Sequence, residues 1–249
     1  MLGFPIYFIK YNERCAMKEW EQELYLAVEA IKSRLEILRD GGIHYIVKNN
    51  AHHNNTVHVI PEREERLNKL RQEKIGECQR CSLCSQRTNL VFGAGSSSAS
   101  ILFVGEAPGS EEDLQGQPFV GKSGKLLTKM IEAMGFKRES VYICNVVKCR
   151  PPKNRDPLPE EIAACEPFLK EQISIIQPKI IVGLGRYACQ TLLRSEVSIA
   201  KLRGIWHEYN GIRFMPTFHP AYLLRNPNAK KEVWDDLKAV MLEIEAKQS

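Results

Sequence analysis

The sequence predicts an α/β fold, a three-layer α/β/α sandwich whose central sheet has four parallel strands. Short apolar runs typical of buried strands occupy residues 101–104, 141–146, 179–184 and 212–217. Segments of helical character alternate with them, at about residues 121–134, 158–176, 186–194 and 230–246. Strands that alternate with helices form crossover units, which make the strands parallel and cover both faces of the sheet.

The first part of the chain differs, and residues 1–60 are predicted to form a helical N-terminal extension to a main domain that spans 61–249. Apolar residues recur at helical spacing over about 20–39, and a Gly-Gly pair then ends this helix. Residues 49–55 are polar without periodicity, which is typical of a linker. Its adjacent His52 and His53 could bind a metal, although a solvated tract is the favoured interpretation. Met17 is an alternative start of the chain.

Composition excludes several classes of protein. Hydrophobic residues make up 43% of the chain, enough for a core, and no apolar run approaches the roughly 20 residues of a membrane span. The N-terminus lacks a basic leader and a cleavage site, so we expect a soluble, cytoplasmic monomer without a membrane partner. The net charge of +5 permits a nucleic-acid partner without requiring one.

Polar and aromatic residues follow the predicted strands where parallel strands share one edge of the sheet. Glu106 follows the first strand in Gly105-Glu106-Ala107-Pro108-Gly109, Asn145 ends the second, and His219 follows the fourth. With Phe119, these groups suit a planar ligand. The aromatic ring would stack on its face, the amide would hydrogen-bond its edge, and the histidine would stabilise charge that develops on it. Each residue alone has a structural interpretation as a turn, a cap or a core side chain, and their joint placement favours a site.

Basic residues gather near the same edge and are predicted to contact the phosphates of a nucleic acid. They are Lys122, Lys148, Arg150, Lys153, Arg155 and Arg225. Leu223 and Leu224 lie in a segment that we expect to be exposed. Two interpretations remain for these leucines: packing of a helix, or a wedge pushed between stacked bases.

Eight cysteines, several of them closely spaced, indicate metal or cluster ligation more than disulfides. Cys78 and Cys81 form a CxxC motif, and Cys149 and Cys165 lie near the predicted basic loop and the helix after it. Cys84 is a further candidate ligand, and zinc is the default metal for four cysteines. Two other cysteines, Cys144 and Cys189, are predicted to pack in the core.

From about Cys78 to Met241 the chain resembles the family-four, iron–sulfur branch of the uracil-DNA glycosylases. The stretches that carry the resemblance are CQRCSLCSQRTNLVFG, VGEAPGSEEDLQGQPFVGKSG, VYICNVVKCRPPKNRDP, VSIAKLRG and FHPAYLLRNP. The resemblance implies a [4Fe–4S] cluster bound by Cys78, Cys81, Cys149 and Cys165. Cys84 falls at a position that need not be cysteine.

The resemblance also implies roles in the pocket. Glu106 and the backbone of Ala107 belong to the first motif, Phe119 is the stacking ring, Asn145 reads the uracil edge, and His219 is the histidine of the second motif. Ala107 stands where better-known uracil glycosylases have a water-positioning aspartate, and alanine cannot replace it. We therefore assign water positioning to Asn154 as a hypothesis, with Glu106 or Glu112 as alternatives.

The function implied is that of a monofunctional DNA glycosylase in base excision repair. Such an enzyme flips uracil out of single- or double-stranded DNA, hydrolyses the N-glycosidic bond and leaves an abasic site. The alternative is a non-catalytic DNA-binding module of the same fold, which keeps the basic surface without a working pocket. An electron-transfer protein is a second alternative, but it leaves Phe119 and His219 unexplained.

Overall fold

The computed structural model describes residues 44–46, 58–60 and 62–246. The chain divides into two compact units, Met1–Glu62 and Arg63–Ser249. In the first unit β1 (His44–Ile46) pairs antiparallel with β2 (His58–Ile60), two strands that the sequence did not predict. The helix predicted at about residues 20–39 and the linker predicted at 49–55 lie outside the described residues.

The second unit is built on a six-stranded sheet in the order β3-β5-β4-β6-β8-β7. Its strands are β3 (Ala94–Gly95), β4 (Ile101–Gly105), β5 (Tyr142–Asn145), β6 (Ile180–Leu184), β7 (His207–Tyr209) and β8 (Ile212–Thr217). The four central strands are parallel, which confirms the predicted core. The short strands β3 and β7 add an antiparallel edge on each side.

Eight α-helices in the described part of the chain surround this sheet. They are α1 (Glu62–Lys69), α2 (Ser110–Gln115), α3 (Lys122–Ala133), α4 (Pro159–Ile176), α5 (Arg186–Leu193), α6 (Ile199–Leu202), α7 (Pro220–Arg225) and α8 (Lys230–Ala246). The four helices predicted at about residues 121–134, 158–176, 186–194 and 230–246 thus lie where the sequence indicated. None of the helices described is both long and apolar enough to span a lipid bilayer.

Alternation along the central strands divides the core between two sheet faces. In β4, Leu102 and Val104 belong to one hydrophobic cluster, whereas Ile101 and Phe103 belong to the other. Helices α4 and α5 contribute their apolar side chains to the first cluster, and α3 and α8 contribute theirs to the second. The observed architecture is therefore the predicted three-layer sandwich, because successive strand residues point to opposite faces.

The central strands end in register at one edge of the sheet, where Gly105 pairs with Asn145 and Leu184 pairs with Thr217. A buried ion pair holds the end of β8 in place. Asp236 of α8 is 2% exposed, and its carboxylate accepts hydrogen bonds from Thr217 Oγ1 at 2.6 Å and from Arg203 Nε at 3.1 Å. The strand that leads to His219 is thus fastened to α8.

We expect Asp236→Ala to lower the free energy of unfolding by about 3 kcal/mol, because it leaves the buried Thr217 hydroxyl unpaired and leaves the Arg203 guanidinium with Glu232 as its remaining partner. Urea denaturation followed by circular dichroism measures the change. The matched control is Asp235→Ala, since Asp235 is an exposed neighbour whose carboxylate pairs with Lys238. Equal stability of the two variants would contradict a supporting role for Asp236.

Candidate active site

A pocket of about 420 Å³ opens beside the carboxyl ends of the central strands. Seven of the residues predicted for catalysis or base binding line it: Glu106, Ala107, Glu112, Phe119, Asn145, Asn154 and His219. They come from the stretch 106–119, the end of β5, the loop after β5 and the residue before α7, and the sheet topology brings these four places together. This convergence is what the strand ends predicted.

Gly105, the last residue of β4, forms a close contact beneath the pocket. A Cβ atom at this position would lie 2.4 Å from Asn145 Oδ1 and 2.5 Å from Phe119 Cζ. Any side chain would therefore displace the amide or the ring. The absence of a side chain at Gly105 allows the two groups to share the end of the sheet.

Phe119 is held in a conformation that is unfavourable for an aromatic residue. Its φ is +52°, in the left-handed region, and its ring is 5% exposed. Gly124 of α3 packs so closely that a Cβ atom there would lie 2.0 Å from the Phe119 carbonyl. The ring centroid of Phe119 lies 5.5 Å from that of His219, at an interplanar angle of 34°. Strain of this kind persists where surrounding contacts over-determine the backbone, and it is common at functional sites.

Glu112 supplies part of that constraint. One carboxylate oxygen accepts the N–H groups of Val120 and Gly121, both at 2.9 Å, and the other accepts the N–H of Gly109 at 3.2 Å. The side chain is buried and closes the loop that carries Phe119. These bonds favour a structural role for Glu112 over the predicted alternative of positioning water.

Asn145 presents an unsatisfied polar atom. The residue is 1% exposed, and among the described residues no donor pairs with its buried Oδ1. Leaving a buried acceptor unpaired costs about 1–3 kcal/mol, so such atoms in folded proteins call for an explanation. Because Asn145 lines the pocket, a ligand N–H is the partner that the geometry indicates.

His219 is fixed as a neutral hydrogen-bond donor. It caps α7, and its Nδ1 accepts the N–H of Ala221 at 3.1 Å, which leaves the proton on Nε2. Burial lowers the pKa of His219 to about 4, and the positive charge of Arg225 acts in the same direction. At neutral pH the imidazole is therefore uncharged.

Two further polar residues line the pocket, Glu106 and Asn154, and both were predicted as candidates for positioning water. Burial raises the pKa of Glu106 to about 7, the charge of Asp156 adds to the rise, and Arg186 opposes it. Asn154 is exposed, has a φ of +54°, and accepts a hydrogen bond at Oδ1 from Arg150 Nε at 2.8 Å. Its amide nitrogen remains available as a donor.

Of the predicted DNA contacts, Lys122, Lys153 and Arg225 are exposed, and Arg150 is half-buried. Arg155 lines the pocket but donates two hydrogen bonds, at 2.9 and 2.6 Å, to the buried carboxylate of Glu161.

The prediction for Lys148 is wrong, because this side chain is 1% exposed and lies in the interior. The prediction for Leu223 as a wedge is also wrong. Leu223 is 1% exposed and packs in the core, whereas its neighbour Leu224 is 47% exposed, since consecutive residues of α7 point in different directions.

A second cavity, here called the cysteine cavity, is lined by Cys78, Cys81, Cys84, Cys149 and Cys165. Arg87 Nη1 donates to Cys149 Sγ at 3.3 Å and to the Cys78 carbonyl at 2.7 Å, and the N–H of Lys148 donates to Cys165 Sγ at 3.2 Å. Burial raises the pKa of the Cys165 thiol to about 11. The predicted core cysteines, Cys144 and Cys189, are fully buried and pack in the core.

The donor set of the cysteine cavity fits a thiolate-bound group. Its thiols line one space, and N–H groups donate to two of the sulfurs. Iron–sulfur clusters are held by cysteine thiolates, and hydrogen bonds to the sulfurs tune them.

Several residues of the pocket were missed at the level of sequence. Ser123, Asp156 and Tyr222 also line it, and the Tyr222 ring packs 4.7 Å from that of Phe218. Each lies within a few residues of a predicted site residue, so proximity to a motif was the available signal. Nothing in their spacing distinguished them from ordinary loop residues.

Comparison with known proteins adds an independent finding. The sequence model of the Uracil DNA glycosylase superfamily matches residues 92–238. The chain is 49% identical over 183 residues to a Type-4 uracil-DNA glycosylase of Sulfurisphaera tokodaii, which covers 70% of this chain and 83% of that protein. It is 48% identical to a Type-4 uracil-DNA glycosylase of Thermotoga maritima, with 72% and 91% covered, and 43% identical to one of Archaeoglobus fulgidus, with 67% and 88% covered.

Proposed function

Because the chain belongs to the uracil-DNA glycosylase superfamily, and within it to the type-4 uracil-DNA glycosylases, it excises uracil from DNA, and we propose that Asn145, Phe119 and His219 carry out this reaction. It is a hydrolase of N-glycosyl bonds in base excision repair. The observation that carries the assignment is the buried, unpaired Asn145 Oδ1 inside the pocket. The relatives give no support to a non-catalytic DNA-binding module.

Recognition begins when the target nucleotide is flipped out of the helix, which costs a few kcal/mol and least for a mispaired base. The flipped uracil stacks on Phe119, a contact worth about 1–3 kcal/mol. Asn145 Oδ1 accepts N3–H, and its amide nitrogen donates to O4. Cytosine reverses both the donor and the acceptor, so buried polar groups would remain unpaired, and that is the source of discrimination.

Bond cleavage leaves negative charge on uracil and positive charge on the sugar. His219 Nε2–H donates a hydrogen bond to O2 and stabilises the departing base as an anion. The neutral state of the imidazole supports this role, because the Ala221 N–H fixes the tautomer that presents Nε2–H. The base leaves by hydrolysis, with no protein amine attached to the sugar, so the product is an intact strand with an abasic site.

The attacking water is oriented by Asn154, and Glu106 accepts its proton. Both residues line the pocket, and Ala107 cannot serve in place of an aspartate. A carboxylate with a pKa of about 7 is well matched to general-base work at neutral pH. Glu112 stays outside this step because backbone N–H groups occupy its oxygens.

Contacts to DNA outside the pocket come from exposed groups around its mouth. Lys122, Lys153 and Arg225 bind phosphates of a single or double strand, and such contacts position the nucleic acid without reading its sequence. Leu224 replaces Leu223 as the apolar wedge, because it is the leucine of α7 that faces solvent.

The cofactor that we propose is a [4Fe–4S] cluster in the cysteine cavity. Cys78, Cys81, Cys149 and Cys165 would hold it as thiolates, and Arg87 and the Lys148 N–H would donate hydrogen bonds to the sulfurs. When bound, the cluster supplies a cross-link between distant parts of the chain. Binding would fasten the segment that carries the CxxC motif to the loop between β5 and α4.

We expect Asn145→Asp and His219→Ala each to reduce kcat/KM for uracil excision by about 10²–10³-fold, because each removes a hydrogen bond that strengthens as the base leaves. The assay treats an oligonucleotide that contains one uracil with the enzyme and then with alkali. The measured quantity is the fraction of strands that alkali breaks. Breaks before alkali treatment would contradict a monofunctional reaction.

Matched controls for that assay are Asn210→Asp and His207→Ala, since neither residue lines the pocket. Both controls should retain wild-type activity. Unchanged cleavage by Asn145→Asp and His219→Ala together would remove the proposed assignment of roles.

The pH dependence of kcat tests the role of Glu106. Its ionised form accepts the proton, so kcat should fall as the pH drops below the folded-state pKa of about 7. His219, whose pKa is about 4, contributes no change between pH 6 and 9 in this interpretation. Glu106→Gln should lower kcat and flatten the profile, and an unaltered profile in this variant would leave Asn154 as the sole candidate.

The cysteine assignment predicts that Cys149→Ser loses the brown absorbance at about 400 nm, whereas Cys84→Ser retains it. Iron per chain is measured on the same samples. Loss of iron in Cys84→Ser but not in Cys149→Ser would reverse the ligand set. A colourless wild-type protein that contains zinc would overturn the proposed cofactor.

A further inference from the structure

Lys148 is one of the largest fully buried side chains in the described part of the protein, with 1% of its surface exposed. It stands in the turn Asn145-Val146-Val147-Lys148-Cys149, which follows β5. One end of this turn is the residue assigned to read the base, and the other end is a cysteine of the cysteine cavity. Neither the pocket chemistry nor contact with DNA accounts for Lys148.

The contacts of Lys148 reach toward both sites. Its Nζ donates to the Asn145 carbonyl at 2.7 Å and to Gln172 Oε1, and its backbone N–H donates to Cys165 Sγ at 3.2 Å. Gln172 in turn donates to the Phe92 carbonyl at 2.9 Å. The ammonium group is therefore fixed at α4 and fastened to the backbone of Asn145.

Burial of the Lys148 ammonium group has a free-energy cost, which a functional role would explain. Burying a cation opposite neutral acceptors is costly, and among the described residues Lys148 forms no ion pair with a carboxylate. The acceptors of its ammonium group are the uncharged Asn145 carbonyl and Gln172 Oε1. An apolar side chain of the same length would fill the space without that cost.

We propose that Lys148 is a positioning residue for base recognition, which couples the Asn145 amide to the cysteine cavity. Its ammonium group closes the turn by holding the Asn145 carbonyl, and its backbone holds Cys165 at the other end. This inference rests on the proposed function, since it assumes that Asn145 reads the base. It adds a residue that touches neither the base nor the DNA.

The backbone around the turn supports this role. The N–H of Val146 donates to the Gly105 carbonyl and that of Val147 to the Glu106 carbonyl, both at 2.9 Å. These bonds fix the turn to the end of β4, and the Lys148 ammonium adds a bond to the Asn145 carbonyl. Loss of the ammonium leaves that carbonyl without this bond, so the amide can rotate away from the base.

The experiment is a double-mutant cycle between Lys148→Met and Asn145→Ala in the full-length protein. The readout is kcat/KM for uracil excision from a single-stranded oligonucleotide, at a temperature at which thermal melting shows every variant folded. We expect Lys148→Met to lower kcat/KM by about tenfold or more, as for loss of a hydrogen bond from a charged group. In the Asn145→Ala background, Lys148→Met should change it by less than about twofold, because the two residues act as one unit.

Additive losses in the double variant would overturn the proposal, since a scaffold role lowers activity whether or not the amide is present. Wild-type activity in Lys148→Met would overturn it as well. Exposed Lys137 provides a matched control, and Lys137→Met should behave as wild type.

Lys148→Gln, which keeps a buried N–H donor, is the second variant. It should retain more activity than Lys148→Met, and its effect should also vanish in the Asn145→Ala background. Failure of both variants to fold while Asn145→Ala folds would show a general scaffold role and reject the proposal. Absence of uracil excision by the wild-type protein would reject the proposed function itself, whereas additivity with an active wild type rejects only the role of Lys148.

Discussion

The site depends on the close approach of two parallel strands at the point where they end. Gly105 and Asn145 are partners in the register of β4 and β5, and the absence of a Cβ at Gly105 leaves room for both the Asn145 amide and the Phe119 ring. Sheet geometry thus fixes the spacing between a hydrogen-bonding edge and a stacking face. A planar base that requires both hydrogen bonding and stacking can therefore be bound without any movement of the sheet.

The backbone conformation of Phe119 is unfavourable by itself, so other residues must stabilise it. The positive φ of Phe119 is a local cost, and Glu112 of α2 compensates for it, while its neighbour Asp113 binds a different segment. Glu112 accepts the N–H groups of the loop around Phe119, whereas both carboxylate oxygens of Asp113 accept the single backbone N–H of Thr88, at 2.9 and 3.1 Å. This short helix therefore connects the pocket to the segment that follows the CxxC motif.

Much of this arrangement followed from patterns in the sequence. Apolar runs of four to six residues identified the central strands, because a strand buried on both faces needs no alternation. Strands β3 and β7 contain two and three residues, too few for any period to appear. Residues at strand ends, such as Asn145 and His219, were predictable because topology alone brings them to one edge.

The sequence could not predict the direction in which individual side chains point. Lys148 was assigned to DNA because lysines are usually exposed, but its interior position depends on acceptors from Asn145 and Gln172, and the latter lies far along the chain. Leu223 and Leu224 are chemically identical neighbours, and only the orientation of α7 on the core separates them. Composition and spacing carry no information about such choices.

The cysteine cavity has a consequence for how the chain reaches its fold. Its thiols come from two widely separated segments, one before the sheet begins and the other between β5 and the first turns of α4. Bringing such segments together in an unfolded chain is opposed by loop-closure entropy, which grows slowly with the intervening length. A cluster bound by both segments would offset that loss of entropy when it assembles. Its removal would restore the configurational freedom of the chain between the two segments.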